Sequence, residues 1–77
     1  MVMVYELWDT ESANRLGEYV SEGQALAVVH AALKRVPREE VATWALLYFE
    51  EGKDSKAIAE GEALIDLASR AAATDSR

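Results

Sequence analysis

The six residues S-E-G-Q-A-L at 21–26 return as A-E-G-E-A-L at 59–64, four letters of six unchanged. Both copies stand at the same kind of junction, after two apolar runs separated by a polar turn and before an amphipathic stretch. Apolar residues keep step at the same offset of 38 (59 − 21), pairing Val20 with Ile58, Leu26 with Leu64 and Val29 with Leu67. A pattern that repeats over several tens of residues usually reflects one supersecondary unit used twice. The sequence therefore predicts an α+β fold, a tandem β-β-α repeat forming a four-stranded antiparallel sheet with two helices on one face.

Local signals place the elements. Val2 to Trp8 is β-branched, aromatic or long apolar except for Glu6, which predicts a strand. The run D-T-E-S-A-N at 9–14 reverses the chain, because Asp, Ser and Asn side chains bond nearby amides, and residues 15–20 return as the second strand. Ser21 and Gln24 have capping-box spacing, and Leu26, Val29, Leu33 and Val36 then recur at helical steps, predicting a helix over about 22–36. Pro37 ends it and opens a short helical turn. Residues 43–50, T-W-A-L-L-Y-F-E, predict a third strand, S-K-A-I-A the fourth, and 60–72 a second helix carrying Leu64, Leu67, Ala68 and Ala71 on one side. The chain reads as a single domain, 1–77, made of a first unit at 1–36, a linker at 37–42, a second unit at 43–72 and a flexible tail at 73–77.

A sheet with helices on one face should alternate apolar and polar along its strands. Two strands here do not: Trp44, Leu46 and Tyr48 oppose Ala45, Leu47 and Phe49, and Met3, Tyr5 and Leu7 oppose Val2, Val4 and Trp8. The helices can cover only one of these faces. The other is expected to meet a second copy of the chain or another protein, and Trp8, Tyr19, Trp44, Leu46 and Tyr48 are the candidate interface residues.

Charge and composition exclude other classes. The net charge is −6, and the longest basic run is Lys34-Arg35, which disfavours direct contact with nucleic acid. There is no cysteine, hence no disulfide or thiolate site, and no apolar run approaches a membrane span, so a cytoplasmic protein without membrane contact is expected. His30, the one histidine, borders the first helix's apolar stripe without a carboxylate or nucleophile beside it in the sequence. The acidic pairs Glu39-Glu40 and Glu50-Glu51 read as solvated, and Asp9, Glu11 and Asn14 lack the glycine and terminal glutamate of a calcium loop. No catalytic, metal or cofactor residue is assigned.

The segments Y-E-L-W-D-T-E-S-A-N-R-L-G-E-Y, S-E-G-Q-A-L-A-V-V-H-A-A-L, T-W-A-L-L-Y-F-E-E-G and I-A-E-G-E-A-L-I-D-L-A together resemble a group of small uncharacterised bacterial proteins. The resemblance implies a bacterial origin and a β-β-α-β-β-α domain, with no activity attached. The stretch G-E-Y-V-S-E-G-Q-A-L-A-V-V-H-A-A-L is also similar to the hairpin-to-helix step of HicB-like antitoxins, though the family's glycine and proline pattern between the strands is missing here. The leading expectation is a small acidic, non-enzymatic protein-interaction module that forms a homodimer. The alternatives are a small-ligand or regulatory domain whose aromatic platform takes a flat molecule, with Tyr19 or His30 as polar handle, and an antitoxin-like partner protein.

Overall fold

The computed structural model describes residues 3–75. Four strands and three helices follow in the order β1 (Met3–Asp9), β2 (Asn14–Tyr19), α1 (Glu22–Ala32), α2 (Arg38–Val41), β3 (Trp44–Glu50), β4 (Lys56–Glu60) and α3 (Glu62–Asp75). The strands form one antiparallel sheet in the order β2-β1-β3-β4. Helices α1 and α3 lie side by side on one face, and the molecule is a slab 17 Å thick, the depth of one helix layer on one sheet. The expected α+β architecture is present.

Leu7, Leu46, Ala25, Leu26, Val29, Leu64, Ile65, Ala68 and Val41 of α2 form the core between the layers. Leu46 follows Leu7 by 39 residues (46 − 7), and the two lie opposite each other in the β1–β3 ladder. The same spacing relates Ala25 to Leu64, Leu26 to Ile65 and Val29 to Ala68, all buried. It also relates the bulges of the two hairpins, which fall between Leu7 and Trp8 and between Leu46 and Leu47. An antiparallel pair separated by the repeat length marks a twofold axis, so an internal pseudo-twofold passes through the Leu7–Leu46 pair.

The letters and the fold thus repeat one residue out of step. Gly23 lies within α1, whose N-cap is Ser21, whereas Gly61 stands before α3 at φ +62 and donates its N–H to the Trp44 carbonyl at 3.0 Å. The shared Glu-Gly dipeptide performs different tasks in the two units, and the 38-residue pairing of Val20 with Ile58 joins a 72% exposed side chain to one packed on the core. Left-handed backbone costs a residue with a Cβ about 1–2 kcal/mol. Gly61→Ala is therefore expected to lower stability by about that much in urea titration, with no compensating contact, since its Cβ would lie 3.4 Å from the Ala42 carbonyl oxygen. An unchanged midpoint would mean that α3 can start without the left-handed turn.

Helix boundaries differ from expectation at both C-termini. Helix α1 ends at Ala32 rather than near 36, because Val36 precedes Pro37 and the amides of Lys34 and Arg35 bond carbonyls three residues back, at Ala31 and Ala32. Leu33 and Val36 still pack on the core. Helix α3 runs on to Asp75, through part of the expected tail, and Ser76 and Arg77 lie outside the described residues, as does Val2. The Ser21 hydroxyl accepts from the Gln24 amide at 3.1 Å, as the capping box predicts, while the Gln24 side chain accepts from Val20 rather than from Ser21.

The first turn is fixed by Asp9. Its Oδ1 accepts the amides of Glu11 (3.0 Å) and Ser12 (3.4 Å) and the Thr43 hydroxyl (3.2 Å), tying the β1–β2 turn to the start of β3. Partial burial pushes the carboxyl up, but the Ser12 and Glu11 amides and the Ser12 and Thr43 hydroxyls outweigh it and hold its pKa below the ordinary aspartate value. A depressed folded pKa gives stability that is complete above the unfolded pKa and lost as pH falls through the folded one. Asp9→Asn should melt below the parent at neutral pH, and the two melting temperatures should converge in strong acid. A gap independent of pH would show that the ionised carboxylate is not what the turn uses.

Candidate interaction surfaces

The pairing register decides which side chains share a face. Tyr5, Leu7, Trp44, Leu46 and Tyr48 point toward the helix layer, with Tyr5 opposite Tyr48 and Leu7 opposite Leu46. Side chains alternate along a strand, so Val4, Glu6, Trp8, Ala45, Leu47 and Phe49 point the other way. There Val4 faces Phe49, Glu6 faces Leu47 and Trp8 faces Ala45. None of the five apolar residues in this second set belongs to the core cluster between the layers or packs against it, although Ala45 is itself buried by its neighbours and the other four are half-buried.

The five candidate interface residues accordingly do not form one surface. Trp8 alone lies on the open face. Leu46 is fully buried on the pseudo-twofold axis, which removes it from any surface. Tyr48 packs against Tyr5 with ring centroids 5.0 Å apart and the planes tilted by 48°, and it donates to Glu50 Oε1 at 3.2 Å; burial and that carboxylate push its hydroxyl pKa up. Tyr19 and Trp44 come together elsewhere, at a groove beside α1. What the strand sequences left open was which set of β1 pairs with which set of β3, and the register settles it: Val4, Ala45, Leu47 and Phe49 join Trp8.

The one charged side chain amid this open face is internally satisfied. Glu6 accepts from the Trp8 indole N–H at 2.9 Å through Oε1 and from Arg15 at 3.1 Å through Oε2, and its side chain is 13% exposed. Arg15 also reaches Glu18 at 3.9 Å. The result is an apolar strip, Val4–Phe49 and Leu47 and Trp8–Ala45, with a neutralised carboxylate at its middle and charges confined to the flanking strands.

The groove lies on the helix side, between the C-terminal half of α1, β2 and the start of β3. It encloses about 400 Å³ and is lined by Leu16, Tyr19, Val28, Arg35, Val36 and Trp44, among others. Leu16 is the extra residue of the β2 bulge, since Arg15 pairs with Trp8 and Gly17 with Leu7. Gly17 makes room for the Tyr19 ring: a Cβ there would fall 2.2 Å from the Tyr19 hydroxyl oxygen.

His30 lines a second, smaller groove between α1 and α3 with Lys34 and several alanines, and hydrogen-bonds to nothing among the described residues. No group of three or more His, Cys, Asp or Glu among the described residues could hold a metal ion. No described helix is long and apolar enough to cross a membrane. No family model, curated protein or solved structure matches the chain.

Proposed function

We propose that the protein is a small acidic, non-enzymatic interaction module that self-associates through the open face of its sheet. The observation that carries this reading is the set of four half-buried apolar side chains, Val4, Trp8, Leu47 and Phe49, around a buried Ala45 on a face with no helix over it. Covering them strands no charge, because Glu6 already has both oxygens bonded within its own chain. Two such sheets can stack at about 10 Å, with Trp8 of each copy over the Leu47–Phe49 half of the other.

A second copy fits the extent of the surface. Four strands about 4.8 Å apart and five to seven residues long give a footprint of roughly 400 Å² per copy, at the low end for specific association. An interface of that size suits a weak, reversible dimer rather than an obligate one. Each copy carries a net charge of −6, so repulsion opposes pairing and added salt screens it.

Light scattering behind a sizing column, over a concentration series at low and high salt, tests this. The expected result is a monomer–dimer equilibrium that shifts toward dimer with salt. A monomeric mass at every concentration and salt would overturn it.

A further inference from the structure

We infer that the groove beside α1 binds a small amphipathic carboxylate, its apolar body against Leu16, Val28 and Trp44 and its charged end on Arg35. Four observations carry this.

The groove's volume, about 400 Å³, lies within the range of small-molecule sites and holds a bicyclic aromatic or a medium alkyl chain. Its walls are apolar, yet Leu16 and Val28 remain 43% and 38% exposed, two of the four large apolar side chains so exposed among the described residues. Arg35 is its only charged lining residue among the described residues. In a chain of net charge −6, the Arg35 guanidinium nevertheless makes no hydrogen bond or ion pair among the described residues, while those of Arg15, Arg38 and Arg70 all do. A guanidinium fork at the edge of an apolar wall matches the geometry of a carboxylate and selects against cations.

The pseudo-twofold supplies an internal control. At the place of Val28 the second unit has Leu67, and at the place of Trp44 the first strand has Tyr5, by the 39-residue spacing of the core. The extra residue of the second bulge is Ile58, since Ala59 pairs with Leu46 and Ala57 with Leu47. Ile58 and Leu67 both pack against the core, closing the space that Leu16 and Val28 leave open. The groove is thus a departure of one half from a shared plan, and the departure brings a cation and an exposed apolar wall to one place.

The site is on the helix side of the sheet and is independent of self-association through the other face. The test is a ¹H–¹⁵N NMR titration with 2-naphthoate and its neutral counterpart 2-naphthamide, on the parent and on Arg35→Gln. Naphthoate is expected to shift the amides of Leu16, Val28 and Val36 and the indole N–H of Trp44, and naphthamide to bind about tenfold or more weakly, the usual value of a charge-assisted hydrogen bond. Arg35→Gln should bring naphthoate down to the affinity of naphthamide, and Leu47→Glu, on the opposite face, should leave naphthoate binding unchanged. Shifts confined to Trp8, Leu47 and Phe49, equal affinities for acid and amide, or no shifts up to the solubility limit would each overturn the proposal.

Discussion

Leu46→Ala is expected to lower the free energy of unfolding by about 3 kcal/mol, enough to leave a domain of this size with only a fraction of its stability. Leu46 is 0% exposed and faces Leu7, itself 1% exposed, across the central ladder. Removing its side chain opens a cavity where both hairpins and both long helices meet. The strands on either side are hydrogen-bonded and cannot close in, so little of the void can collapse. Urea denaturation measures the change. A loss under about 1 kcal/mol would mean that the centre repacks freely, contrary to a core in which this pair sits on the symmetry axis.

Leu47→Glu has the opposite profile. Its side chain projects to the open face, across from Glu6 on one side and Ala57 on the other, and contributes nothing to the core between the layers. The substitution sets a second carboxylate directly opposite Glu6, which disfavours a dry contact far more than it disturbs the folded monomer. The expected outcome is a folded protein with parental far-ultraviolet circular dichroism that stays monomeric where the parent dimerises. Dimerisation at parental affinity would exclude this face as the interface, and unfolding would show that the face is part of the monomer's own core. Adjacent leucines thus separate folding from association: one substitution reports on the first, its neighbour on the second.

Much of this was legible in the residues. Strands and helices were marked by apolar period, by the polar turn at 9–14, by Ser21 and by Pro37, all of which act over a few residues. The double-sided apolar character of β1 and β3 was legible too, since alternation needs only the strand's own sequence. Which of their faces coincide was not, because that depends on a register set by contacts between residues far apart, Trp8 opposite Ala45 rather than Trp44. The repeat was legible but its step was misled by letters: Gly23 and Gly61 look equivalent, and only the backbone shows one inside a helix and the other in a left-handed turn before it. Ile65, fully buried, fell outside the expected stripe of α3 for the same one-residue reason. The groove was not legible, since Leu16, Val28, Arg35 and Trp44 come from separate elements joined by a bulge that no local pattern announces.

The central ladder also governs how the chain assembles in time. Each hairpin closes through a short turn and can form within microseconds on its own. Their union must bring Leu7 to Leu46 across the whole first helix and the α2 segment, and the entropy of closing that loop is spent before the helices gain their shared core. The pseudo-twofold seam is therefore expected to form late in folding, the two halves meeting within one chain much as separate subunits do, at an effective concentration fixed by the residues between them.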